Sequence, residues 1–267
     1  MREFLSFFSN QDWFGRSGPF GYNTEKIIFI IITMLLCVFI PMRLKGKGNG
    51  AKKTLIAFWI FALTLDIVKY IFYNAYCYIN DFSLSRYELP FWTCTIFLTI
   101  LPLSLFSNNE KIKASCNAFI CSISFVGGIV NYLFPQESIF SFMGLHTFLY
   151  HFILTIVPLI MLISGYYKPK FKHCLGAVTI FIVYAIPVFI IDNMFEFDYM
   201  FIYNGTWLGP LSKLAALIPY NILWTLICLI GHIIVAALIV FMEELIINRN
   251  QKVEDKQLSN ILSIGEE

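Results

Sequence analysis

Charge is what this sequence has least of. Asp, Glu, Lys and Arg make up 13% of its 267 residues, against roughly a quarter in a soluble domain. Hydrophobic residues make up 58%, and the mean hydropathy is +0.71. A chain of this composition is expected to have lipid as its main solvent. The net charge of +2 is too small for nucleic acid to be an expected partner. Paired cysteine motifs are missing too. Cys37, Cys77, Cys94, Cys116, Cys121, Cys174 and Cys228 are odd in number, and no two form a CxxC pair. Neither a disulfide framework nor a zinc ribbon is expected, and most of these thiols read as small buried hydrophobes. The sequence has no Walker loop, no dinucleotide fingerprint and no HExxH, so no cofactor, metal or nucleotide hydrolysis is expected. The opening MREFLSFFSNQDW has too short an apolar run for a cleavable signal peptide and no small-residue cleavage site before Asp12.

What the chain does have is long apolar runs. A spanning helix needs about 20 mostly apolar residues. Seven runs approach that length: 26–42, 54–79, 90–106, 112–133, 143–166, 174–195 and 214–246. The expected fold is an all-α polytopic membrane bundle of seven transmembrane helices over residues 1–247, followed by a mobile cytoplasmic tail at 248–267. Orientation follows from Lys and Arg in the connections. Arg43, Lys45, Lys47, Lys52 and Lys53 fall between the first two runs. Lys111 and Lys113 follow the third, Lys168, Lys170 and Lys172 the fifth, and Arg249, Lys252 and Lys256 the seventh. With seven alternating helices all of these share one side. Only Arg2, Arg16, Lys26, Arg86 and Lys213 fall on the other. The N-terminus is therefore expected outside and the C-terminus in the cytoplasm of a multi-pass cell-membrane protein. The longest outer connection, FEFDYMFIYNGTWLGPLSK, could fold back over an outward cavity, and Asn204-Gly205-Thr206 in it matches a glycosylation sequon that is common by chance.

Ionisable residues inside a membrane are costly and become functional candidates by default. The second run holds Asp66 and Lys69, with Tyr70, Tyr73 and Asn74 following. Positions 66, 69, 70 and 73 share a helical face. Two compatible readings stand: an i,i+3 ion pair, and a polar cavity lined by Asp66. Cys94 follows Pro90, a residue suited to a helix's first turn, which puts the thiol near the positive end of the third helix. Such an end favours thiolate. His151, in FLYHFILTIVP, falls about 12 Å below the start of the fifth helix. A Cys and a His in hydrogen-bond reach make the nucleophile–base pair of acyl transfer, while inert packing and a structural hydrogen bond are the plainer alternatives. His146 is five residues earlier and about 140° away around the helix. His173 falls in a basic loop, where a solvated role is expected, and His232 reads as structural. Asp192 is either interfacial and solvated or faces the cavity. Gly127-Gly128 permits close helix packing, with Asn131 on the same run as a hydrogen-bonding group.

Several of these residues stand in a familiar order. Leu89-Pro90-Phe91-Trp92-Thr93-Cys94-Thr95 is similar to an LPLxLCS element, Gly127-Gly128 with Asn131 and Pro135 to a GGxxQ…TP element, Tyr199-Met200-Phe201 to NYMFL, and Leu208-Gly209-Pro210 to LGP. The chain thereby resembles the YwaF family of bacterial membrane proteins, related to eukaryotic transmembrane protein 164, over about residues 60–225. Asp66 stands where that family tends to have Glu, Asn131 where it has Gln, and Phe91 and Trp92 depart from LPLxL. His151 fits the family's fifth-helix histidine, and Asp192 its Asn/Asp position. The resemblance implies a cysteine-dependent acyltransferase acting on phospholipids.

The expected function is transfer of a fatty acyl chain between phospholipid and lysolipid in the outer half of the membrane. Cys94 would carry the thioester and His151 would be the base. Asp66, Lys69, Tyr73, Asn131, Asp192 and Tyr199 would orient substrate or imidazole. Membrane phospholipids and lysolipids are the expected partners. Two rivals remain at this stage: a transporter or channel for a small polar solute, with Asp66, Lys69 and Asp192 on its path, and a non-catalytic scaffold whose basic loops bind anionic lipid.

Overall fold

The computed structural model describes residues 24–79, 92, 94–133, 142–195, 199, 230, 231, 233, 234, 237 and 238. The sequon, most of the 214–246 run, His232, Cys228 and the tail lie outside the described residues.

Among the described residues all regular structure is helical. The segments are α1 (Thr24–Arg43), α2 (Lys52–Ile79), α3 (Phe97–Phe106), α4 (Glu110–Phe119), α5 (Phe125–Leu133), α6 (Phe142–Ile163) and α7 (Phe171–Phe195). A wide turn over Ile120–Ser124 joins α4 to α5 without breaking the rod. Five stretches are long and apolar enough to cross a membrane: α1, α2 with the turn before it, the α4–α5 rod, α6 and α7. Their outward faces are bare hydrocarbon. Ile31, Met34, Leu35 and Val38 of α1 and Leu175, Val183 and Ile186 of α7 are exposed, as lipid-facing residues are.

The polar connection between α1 and α2 is a tight reversal through a short 3-10 turn, Gly48–Ala51. Gly46 and Gly48 take φ values of 70° and 49° there, which suit glycine because a Cβ clashes in that region. The Gly48 amide donates to Ser164 O at 2.7 Å, tying this turn to the end of α6. At the same end Asn109 caps α4, its Oδ1 accepting from the Lys111 amide at 3.0 Å and the Ile112 amide at 3.3 Å. The buried Ser104 hydroxyl donates to Asn117 Oδ1, pinning α3 to α4.

α3 corrects a sequence expectation. Regular helix begins at Phe97 rather than near Pro90, so Cys94 sits in a turn ahead of the helix and not within its first turn. The cause is local. The Thr95 hydroxyl donates back to Trp92 O at 2.8 Å and the Thr99 hydroxyl to Ile96 O at 2.8 Å, three residues upstream in each case. The Thr95 and Phe97 amides likewise reach only three residues back, to Trp92 and Cys94. Threonine hydroxyls offer the backbone an alternative to the α ladder. Trp59 of α2 fixes the result in place, its Nε1 donating to Leu98 O at 3.0 Å.

Gly128 behaves as its sequence suggested. A Cβ there would meet the Thr155 side chain, the Thr155 amide at 3.0 Å and His151 O at 3.1 Å. α5 therefore lies almost backbone to backbone on α6, as small residues allow in membranes. Gly127 faces outward with nothing within 4 Å. Gly128→Ala is expected to cost about 1–3 kcal/mol through overpacking, and Gly127→Ala to stabilise by up to about 1 kcal/mol through helix propensity. Melting temperatures of the two variants in detergent check this pair.

Candidate functional site

The polar cluster is built around α2. One face of that helix presents Asp66 and Lys69 to the interior, with 4% and 5% of their surface exposed. Lys69 Nζ lies 3.6 Å from Asp66 Oδ1, the i,i+3 pair expected from the spacing. The ammonium also sits 5.0 Å from the centre of the Tyr70 ring, a cation–π distance. Tyr73, one turn on, is half-buried.

α6 brings the second component. His146 Nε2 is 3.6 Å from the same Asp66 oxygen. Its ring stacks on Tyr150, four residues on, with centroids 5.7 Å apart and planes 23° from parallel. Both residues are buried. This histidine carried no assigned role in the sequence reading.

Cys94 comes from the turn before α3 and is half-buried. It lies within electrostatic range of Lys69, Asp66, Tyr150 and Tyr184. Tyr184 of α7 also engages the Thr95 side chain. The ring of Tyr199 meets Trp92 edge-on at 5.5 Å, which puts Tyr199 against a residue two positions from the thiol.

His151 follows Tyr150 directly. Its Nδ1 lies 2.7 Å from Thr147 O. A carbonyl can only accept, so the proton belongs on Nδ1 and Nε2 keeps its lone pair. Asn131 of α5 is half-buried. Asp192, near the end of α7, is 0% exposed, which removes the solvated interfacial reading. His173 is also corrected. It belongs to the first turn of α7, half-buried, with Nδ1 3.1 Å from the Tyr167 hydroxyl, because α7 begins three residues earlier than the apolar run does. Among the described residues no group of three or more His, Cys, Asp or Glu is placed to hold a metal ion.

The sequence matches the model of a known family, the TMEM164 family, over residues 19–243. The chain belongs to the TMEM164 family. It is accordingly a membrane protein, as its apolar helices indicate. No curated protein and no solved structure matches it. Within this TMEM164-family member, Asp66, Lys69, His146, Tyr150 and Cys94 form one polar cluster drawn from α2, α6 and the turn before α3. Three of the five, Asp66, Lys69 and Cys94, were singled out from sequence; Tyr150 was not. His146 was missed because which side of α6 looks inward is settled by packing against α2.

Proposed function

We propose that this protein is an acyltransferase of the membrane interior, moving a fatty acyl chain from a phospholipid to a lysolipid through a thioester on Cys94. The observation that carries the reading is the placement of the Cys94 thiol close to a buried Asp66–Lys69 pair and next to the helix that holds His151. Inside a membrane bundle such a charged cluster is costly and calls for a use.

In the first half-reaction His151 Nε2 takes the Cys94 thiol proton, and the sulfur attacks the carbonyl carbon of the donor ester. The carbon–oxygen bond breaks, and the departing glycerol oxygen receives the proton from His151. In the second, the acceptor hydroxyl gives its proton to His151, and its oxygen attacks the thioester carbon. The carbon–sulfur bond breaks, and the thiolate recovers the proton. An ester is exchanged for an ester, so no outside energy source enters. Lys69, Tyr73, Asn131, Asp192 and Tyr199 shape or orient the site.

The proposal includes the full topology: seven spans, with the N-terminus outside, the tail in the cytoplasm, and the site in the outer half of the cell membrane. The asymmetry of Lys and Arg supports it. The experiment is capture of the intermediate. Purified protein in vesicles, given phospholipid with a labelled acyl chain, is expected to acquire label that hydroxylamine releases, and to pass that label to added lysolipid. Wild-type protein that acquires no such label from any phospholipid class, and makes no labelled product, overturns the reading.

A further inference from the structure

Asp66 Oδ1, His146 Nε2 and the Tyr150 hydroxyl are all buried, and none of the three atoms has a hydrogen-bond partner. Their residues are 4%, 9% and 2% exposed. Unmade hydrogen bonds at buried polar groups are expensive, and here the Asp66 and His146 atoms lie close to each other with the Tyr150 ring stacked alongside. The carboxylate oxygen and the imidazole nitrogen stand 3.6 Å apart, too far to bond each other. Tyr150 stacks on that imidazole and lies within electrostatic range of Asp66. The geometry points to a polar atom of a bound molecule as the common partner of these groups.

The chemistry of the three groups selects what that atom is. Asp66 can only accept, so the occupant must donate to it. Tyr150 can donate, and so can His146 in the tautomer with hydrogen on Nε2, so the occupant must also accept. A hydroxyl oxygen does both, with one O–H and two lone pairs. Set about 2.8 Å from each of Oδ1 and Nε2, it closes a triangle on the 3.6 Å edge. A phosphate or carboxylate oxygen has no proton for Asp66 and would be repelled by it. An ammonium has no lone pair for the two donors.

We propose that Asp66, His146 and Tyr150 form an alcohol-binding subsite that takes the free hydroxyl of a glycerol-type lipid. Cys94 lies within electrostatic range of both Asp66 and Tyr150, so this hydroxyl is the acceptor that resolves the thioester, its proton resting on Asp66 in the bound state and turning to His151 in the transfer step. That last step rests on the acyltransferase reading; the binding preference itself does not.

The test is therefore a binding measurement. Purified protein with Cys94→Ala, which cannot form a thioester, is titrated in detergent with a 1-acyl lysophospholipid and with its 2-deoxy analogue, following intrinsic Trp fluorescence. A site built to bond a hydroxyl discriminates strongly against the analogue lacking it, and a preference of about tenfold or more is expected. Tyr150→Phe removes an unpaired hydroxyl and leaves the ring, so folding is kept, and the preference should fall severalfold. His146→Gln should abolish most of it. Equal affinity for both lipids, the result if only water fills the gap, overturns the subsite. So does a preference unchanged in both variants. A clear preference in a protein whose wild-type form never carries labelled acyl keeps the subsite and rejects the acyltransferase.

Discussion

Replacing Cys94 by alanine is expected to lower lipid-to-lipid acyl transfer by about 10³-fold or more while leaving the melting temperature within a few degrees of wild type. Loss of a covalent nucleophile removes the path itself and not one contribution to it. The thiol is half-buried in a turn whose hydrogen bonds are made by the backbone and by Thr95, so its removal disturbs little. Cys94→Ser separates chemistry from shape, because the hydroxyl has the same reach but a much higher pKa, and it should be nearly as inactive. The other thiols supply the control. Cys37, Cys77, Cys116 and Cys121 are buried and free, and alanine at any of them should leave the rate within about twofold. Steady-state transfer of a labelled acyl chain in vesicles measures all of these. Full activity in Cys94→Ala would end the mechanism.

The second large effect concerns stability. Asp66→Asn is expected to destabilise the protein by about 3–5 kcal/mol, the range for breaking a buried ion pair from one side. The variant leaves the Lys69 ammonium 5% exposed with its carboxylate neutralised. Asp66→Asn combined with Lys69→Met removes both charges and should recover most of the loss, since a buried pair seldom stabilises much over an apolar pair of the same volume. A double-mutant cycle in detergent unfolding yields the coupling between them. Equal instability of the single and double variants would show that the carboxylate's worth lies with His146 and not with Lys69.

The apolar runs, the 66–69 pair and the close contact at Gly128 were legible in the sequence for the same reason. Each depends on spacing along one helix or on the size of one residue. The start of α3 was not. Residues 90–106 are apolar enough for helix throughout, and an apolar count has no way to register that Thr95 and Thr99 turn their hydroxyls onto the backbone. His146 is a narrower miss. It lies four residues into α6, about 6 Å along the axis, near the helix start as the thiol was expected to be. Depth alone would have paired it with the thiol's surroundings. Its facing direction could not be read, because histidines about 140° apart on an apolar helix look alike until α2 is laid against one of them. Asp192 is similar: near a helix end a carboxylate can face water or protein, and only packing shows that it is buried.

The wide turn at Ile120–Ser124 has a consequence for how this rod can change. There the Phe125 amide reaches Ile120 O, five residues back, so the strip holds a residue more than an ordinary helix of that span. Upstream, Gly176 of α7 presses on Ser115; downstream, Gly128 presses on Thr155. The two halves thus owe their bearings to a small surplus of chain. Losing one amino acid from 120 to 124 would close the strip into ordinary helix and keep both bearings; losing one between 125 and 127 would swing everything beyond it by about 100°, like a camshaft slipping a tooth. Gly128 would then point elsewhere, and a bulkier side chain would be driven into α6 at the level of His151. Between Ser115 and Gly128 the rod can change length at its wide turn and nowhere else without turning Gly128 away from α6.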